Sequence, residues 1–123
     1  MRIGPAAFAR LVGEALDAIP DEFARHLANV AVVVEDAPSP ALLRGMGLDP
    51  HRDTLYGLYQ GIPLPERTGD PPALPDRIVI YSAPLLRDCR TVRTLKREIR
   101  VTVVHELAHA FGLDDGLIRR YGY

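Results

Sequence analysis

The chain has 123 residues, of which 47% are hydrophobic and 25% charged, as expected for one folded domain with a buried core. A formal net charge of -1 argues against strong affinity for nucleic acid or for an anionic membrane. The only cysteine is Cys89, so no disulfide can form within the chain, which suits a reducing compartment. We therefore predict a single domain over residues 1–123, located in the cytoplasm, with neither nucleic acid nor membrane as a partner.

The first half of the chain predicts two helical segments, one strand and one further helical turn. Apolar residues at helical spacing predict a helix over residues 5–19, and a short helical turn follows over 21–27. The β-branched run over 30–35 predicts a strand that is buried on both faces. Prolines and glycines interrupt the chain after this strand, leaving mostly loop with one turn of helix at 41–44.

The second half predicts two strands followed by the longest helix. The strands are predicted over 54–60 and 77–82, separated by a surface loop over 62–76 that contains five prolines. A helical turn is predicted at 83–88 and a long helix over 91–111. The pattern as a whole indicates an α+β fold, with a small mixed sheet of three or four strands packed against helices.

The ends of the long helix carry recognisable capping residues. Thr91 is suited to the N-cap, and Gly112 lies where a helix usually stops. Asp114 is then predicted to cap a short terminal helix that ends near Tyr121.

Residues 105–109 read His-Glu-Leu-Ala-His, an H-E-x-x-H motif on the long helix. Because four residues advance a helix by about one turn, the imidazoles of His105 and His109 leave the same face and can meet one Zn²⁺. Glu106 lies about 100° further around the helix, from where its carboxylate can reach a metal-bound water. We predict that His105 and His109 bind zinc and that Glu106 is the catalytic acid/base.

A third metal ligand is expected because a catalytic zinc usually has three protein ligands. After His109, the strong candidates are Asp114 and Asp115. The run HELAHAFGLDD resembles the metzincin signature H-E-x-x-H-x-x-G-x-x-H, with Asp115 in the place of the third histidine. Gly112 can take a positive φ and turn the chain back toward the metal. We assign Asp115 to the metal and Asp114 to capping, although either carboxylate can perform either task.

Other side chains have two interpretations each. Tyr121 and Tyr123 could stabilise an oxyanion, but packing of the terminal helix against the core is the preferred interpretation. The strand residues 78–81 could form a sheet edge that pairs with a peptide, or an internal strand. His26 and His51 lie outside the motif and are interpreted as ordinary residues rather than as ligands.

The chain resembles the bacterial minimal-zincin family of metallopeptidases. The matching segments are TLYGLYQGIPLPER, LPDRIVIYSAPLL, the HELAHAFGLDD run and the terminal Tyr-Gly-Tyr. This resemblance implies a small zincin-like domain with peptidase activity toward a peptide or protein substrate. The Met-turn of true metzincins is missing, because no methionine follows Asp115.

Three functions are compatible with a zinc site of this kind. The preferred one is hydrolysis of peptide bonds by a metal-activated water. A second is a metal-dependent endoribonuclease, because a bacterial family that matures ribosomal RNA has a similar fold and a related helix motif. That family has no glutamate after its first histidine and has a histidine as third ligand. A third is a non-enzymatic zinc-binding domain, against which Glu106 argues because a structural site has no use for a general base.

Overall fold

The computed structural model describes residues 1–61 and 76–123. In this part of the chain, six α-helices, one 3-10 turn and three strands follow in the order α1 (Pro5–Asp17), α2 (Asp21–Ala24), the turn (Arg25–Leu27), β1 (Val30–Glu35), α3 (Pro40–Gly45), β2 (Gly57–Gln60), β3 (Asp76–Tyr81), α4 (Ser82–Asp88), α5 (Val92–Phe111) and α6 (Asp115–Arg120). The predicted α+β fold with a small sheet is confirmed. None of these helices combines the length and the apolar character that a membrane crossing requires.

The three strands form one mixed sheet in the order β1-β3-β2. β1 is parallel to β3, whereas β2 is antiparallel to it. β3 is therefore the central strand, and its residues from Ile78 to Tyr81 are buried, so the internal-strand interpretation is correct. The predicted burial of β1 on both faces is wrong. β1 lies at an edge of the sheet, none of its residues is fully buried, and Val34 is 41% exposed.

Some predicted boundaries differ from those in the structure. The second strand covers only Gly57–Gln60 rather than 54–60, although the Tyr56 carbonyl still accepts a hydrogen bond from the Tyr81 N–H. The first helix ends at Asp17 rather than at residue 19. The predicted loop over 62–76 lies outside the described residues except for Asp76, which begins β3.

One hydrophobic core joins the sheet to the two longest helices. α5 packs against α1, α4 and the sheet, and its buried residues are Leu95, Ile99, Val103, Val104, Leu107 and Ala108. Phe8 and Ala15 of α1 and Ile78 and Ile80 of β3 belong to the same cluster. Burial of each large apolar side chain contributes about 1.5–3 kcal/mol, so this core holds α5 firmly in position. Cys89 also lies in this core, as a buried free thiol.

Both ends of α5 and the start of α6 form as the sequence predicts. The Thr91 side chain accepts a hydrogen bond of 3.0 Å from the Thr94 N–H. Gly112 ends the helix in the left-handed region, with φ 64° and ψ 40°. Asp114 caps α6, because its Oδ1 accepts a 2.7 Å hydrogen bond from the Gly116 N–H. The capping role predicted for Asp114 is thereby confirmed.

We expect Gly112→Ala to lower the free energy of unfolding by roughly 1–2 kcal/mol, because L-residues are disfavoured at a left-handed φ. Gly13→Ala is a matched control, since Gly13 lies inside α1 and an added Cβ meets nothing within 4 Å. The control should stabilise the protein by about 0.5–1 kcal/mol, because alanine is favoured over glycine within a helix. Chemical denaturation of both variants measures the two changes, and equal effects would contradict the conformational argument.

Candidate metal site

The H-E-x-x-H motif lies in the last two turns of α5. The imidazoles of His105 and His109 are both exposed, one turn apart on the solvent-facing side of the helix. The side chain of His109 is 76% exposed, whereas that of Glu106 is only 15% exposed. The two predicted ligands are thus accessible to a metal ion from solvent, while the side chain of the predicted acid/base is largely buried.

Glu106 is positioned by the edge strand β2 and by His109. Its Oε1 accepts a 2.8 Å hydrogen bond from the backbone N–H of Tyr59. Its Oε2 lies 3.4 Å from Nδ1 of His109. Hydrogen bonds to an ionised carboxylate are stronger than those between neutral groups, so the Tyr59 N–H fixes the carboxylate beside the histidine pair.

Gly57 allows β2 to approach α5 closely enough for this contact. A Cβ at this position would lie 2.7 Å from Cγ2 of Thr102 and 2.8 Å from the carbonyl oxygen of Val79. No ordinary side chain fits between these two groups, because real Cβ atoms do not approach so closely. The absence of a side chain at Gly57 therefore brings the backbone of Tyr59 within hydrogen-bond distance of Glu106.

Residues Tyr121–Tyr123, which we call the terminal segment, contact His105. Nε2 of His105 lies 3.2 Å from the backbone carbonyl oxygen of Tyr123. Nη2 of Arg97, two turns earlier on α5, donates a 2.7 Å hydrogen bond to the carbonyl of Gly122. His105 thus contacts the terminal segment, whereas Glu106 contacts β2.

The tyrosines of the terminal segment pack against α2. The rings of Tyr121 and Tyr123 both lie edge-to-face on Phe23, with centroid distances of 5.1 Å and 6.3 Å. The hydroxyl of Tyr121 donates a 2.7 Å hydrogen bond to Glu22, and this bond raises the pKa of Tyr121. These contacts favour the packing interpretation of the two tyrosines over a role in oxyanion stabilisation.

Asp115, the predicted third ligand, is an exposed residue in the first turn of α6. Among the residues that the structure describes, no three histidine, cysteine or acidic side chains converge into a metal-binding group. The structure places His105, Glu106 and His109 on α5, with Glu106 beside His109, and places Asp115 at the start of α6. Two exposed imidazoles beside a carboxylate have the donor chemistry of a zinc site, so this part of the predicted site fits the metal.

The two histidines outside the motif do not join the site. The ring of His26 lies 4.9 Å from that of Phe111, and His51 is exposed. Neither observation contradicts their interpretation as ordinary residues.

Three groups around the site were not predicted from the sequence, namely the N–H of Tyr59, the carbonyl oxygen of Tyr123 and the guanidinium of Arg97. The first is a backbone group, which every residue type except proline supplies, so no side-chain pattern could have indicated it.

Comparison with known proteins places most of the chain in a family. No curated protein matches the chain. A solved structure, a conserved hypothetical protein from Thermo thermophilus, is 25% identical in sequence and has a TM-score of 0.54, over 95% of this chain and 99% of the other. The sequence pattern of the zincin-like metallopeptidases matches residues 27–123, which include all three strands and the histidine motif. The chain belongs to the zincin-like metallopeptidase family.

Proposed function

We propose that the protein is a zinc-dependent peptidase in which His105, His109 and Asp115 hold the metal and Glu106 is the acid/base. Membership of the family supports the reaction class. The observation that carries the proposal is the placement of the Glu106 carboxylate, which is fixed by Tyr59 beside two exposed imidazoles. Asp115 is proposed from its spacing after the motif.

The proposed mechanism assigns proton transfer to the carboxylate of Glu106. A zinc ion bound at the histidines would supply Lewis acidity toward a peptide carbonyl and make a water molecule more acidic. Oε1 accepts from the Tyr59 N–H and Oε2 faces Nδ1 of His109, so Oε2 turns away from His109 toward the attacking water before it takes the proton. The same oxygen then delivers the proton to the departing amine nitrogen.

His109 is oriented for metal binding by the same carboxylate. Its Nδ1 faces Oε2 of Glu106 at 3.4 Å, and a carboxylate neighbour favours the proton on that nitrogen. The lone pair of Nε2, at the far end of the ring, is then available to the metal. Glu106 therefore sets the tautomer of one ligand in the arrangement described here, and its carboxylate moves away from Nδ1 of His109 when it acts as the acid/base.

The proposed substrates are unstructured peptides rather than folded proteins or RNA. Glu106 supplies the base that peptide hydrolysis requires, and a net charge of -1 gives little attraction for a polyanion. A cytoplasmic location is part of the proposal, because the one cysteine is a buried free thiol that suits a reducing compartment.

The substrate class is tested with a mixed peptide library and a structured RNA, each incubated with the zinc-loaded protein with and without a chelator. We expect slow cleavage of peptides that stops when the chelator removes the metal, while the RNA stays intact. Chelator-sensitive cleavage of the RNA with intact peptides would reverse the ranking and favour the endoribonuclease. Firmly bound zinc without turnover of either substrate would favour the non-enzymatic zinc domain.

A further inference from the structure

We infer that the terminal segment, Tyr121–Tyr123, is an autoinhibitory strap that competes with the metal for Nε2 of His105. The inference rests on the proposed zinc site and adds a control on its occupancy. The contact that carries it joins Nε2 of His105 to the carbonyl oxygen of Tyr123 over 3.2 Å.

The chemistry of this contact fixes the position of a proton. A carbonyl oxygen only accepts hydrogen bonds, so Nε2 of His105 must be the donor and must carry the proton. A protonated ring nitrogen has no lone pair in the ring plane to give to a metal. His109 has the opposite arrangement, because the carboxylate of Glu106 faces its Nδ1 and leaves Nε2 free. While the terminal segment contacts His105, only His109 therefore has an Nε2 lone pair available to zinc.

The end of α6 directs the terminal segment onto His105. Gly122 has a φ of 81°, and the N–H of Tyr123 bonds the carbonyl of Ile118 at 3.1 Å, which is the reversal typical of a helix C-terminus. This reversal turns the last residue back toward α5. The contact with His105 thus follows from the conformation of the C-terminus of α6.

Beyond Tyr121, which is held by Phe23 and Glu22, two contacts anchor the strap. Arg97 holds the carbonyl of Gly122, and the ring of Tyr123 rests on Phe23. Both Arg97 and Gly122 are exposed, so water can replace their hydrogen bond at small cost. The strap can therefore be displaced, and the apparent zinc affinity is the intrinsic affinity multiplied by the fraction of molecules in which it is displaced.

The test weakens the anchors without touching the predicted ligands. Arg97→Ala removes the hydrogen bond to Gly122, Tyr123→Ala removes the ring contact, and the double variant removes both. Zinc affinity is measured by competition with a chromophoric chelator. We expect the double variant to bind zinc on the order of tenfold more tightly than the wild type, with each single variant in between.

A charge control separates loss of the anchor from loss of a cation. Arg100→Ala removes the same charge from α5, five residues before His105 along the helix, and so measures the effect of losing another cation of the same helix. We expect Arg100→Ala to leave zinc affinity near that of the wild type. Equal gains in zinc affinity in Arg97→Ala and Arg100→Ala would overturn the inference that the terminal segment is an autoinhibitory strap.

A second readout needs no metal. In the metal-free wild type, nitrogen–proton correlation spectra of the imidazoles should show the proton of His105 on Nε2, and this signal should weaken in the double variant. A wild-type His105 with its proton on Nδ1 would overturn the inference, as would unchanged or weaker zinc binding in both Arg97→Ala and the double variant. Absence of zinc binding in every protein would instead overturn the proposed function, and the strap with it.

Discussion

Replacement of Glu106 by glutamine is expected to lower peptide hydrolysis by roughly 100- to 10,000-fold, the usual contribution of a general acid/base. Glutamine has nearly the same shape, and its side-chain oxygen can still accept the hydrogen bond from the Tyr59 N–H. The amide cannot take a proton from water at neutral pH. The fold and zinc binding should therefore persist while turnover is lost, which the initial rate on a cleaved peptide and the zinc content together measure.

Glu98→Gln is the matched control for this variant. It makes the same chemical change on α5, eight residues before Glu106 and outside the motif. The control should keep the wild-type rate. Loss of zinc from Glu106→Gln would identify Glu106 as a ligand or a structural partner, and an unchanged rate would assign proton transfer to another group.

Removal of either motif histidine is expected to weaken zinc binding by on the order of 100-fold or more, since loss of even an outer-shell partner typically costs about 10- to 100-fold. His105→Ala and His109→Ala change exposed positions of a helix, where alanine is the best helix former. Both variants should therefore remain folded. Calorimetric titration with zinc measures the loss, and the zinc-dependent rise in melting temperature should disappear with it.

Two controls accompany the histidine variants. His51→Ala removes an exposed imidazole outside the motif and should leave zinc affinity unchanged. The neighbouring aspartates are compared with each other, because Asp114→Ala removes the cap of α6 and should cost about 1 kcal/mol of stability without releasing zinc. Asp115→Ala should release zinc instead. The reverse result would exchange the roles assigned to the two carboxylates.

The sequence predicts the local structure of this chain well, because its strongest signals are local. Helix α5 is delimited by a Thr91 side chain that caps its first turn and by a glycine that stops it at Gly112. Runs of β-branched residues locate β1 and β3 to within one residue of their observed bounds. Each of these signals depends on side chains within a few positions of one another in the chain.

The arrangement of the strands could not be predicted in this way. Five apolar residues in succession, Val30 to Val34, indicated a strand buried on both faces, yet β1 lies at an edge and is only partly buried. The position of a strand in a sheet depends on its pairing with distant residues. Here β1 pairs with β3, more than 40 residues later, and β2 joins the other side of β3. No local pattern encodes that order.

The site likewise combines a motif that a local pattern predicts with contacts from distant residues that no local pattern predicts. The spacing of His105, Glu106 and His109 predicts that they share one helix, which is confirmed. The groups that hold them come from other elements: the Tyr59 N–H reaches Glu106 across 47 positions, and the Tyr123 carbonyl reaches His105 across 18. Both are backbone groups, so the residue types at these positions carry no signal of the contact.

The most direct test of the zinc site is a crystal of zinc-loaded protein with diffraction data collected on both sides of the zinc absorption edge, together with elemental analysis of the same sample. We predict about one zinc per chain, since two imidazoles and one carboxylate are the ligand set of a catalytic site. The anomalous peak should lie at the nitrogens of His105 and His109, within bonding distance of an Asp115 oxygen. A peak at the two histidines with Asp115 turned away would contradict the third ligand, and a fully loaded protein without any peak at the histidines would contradict the zinc site itself.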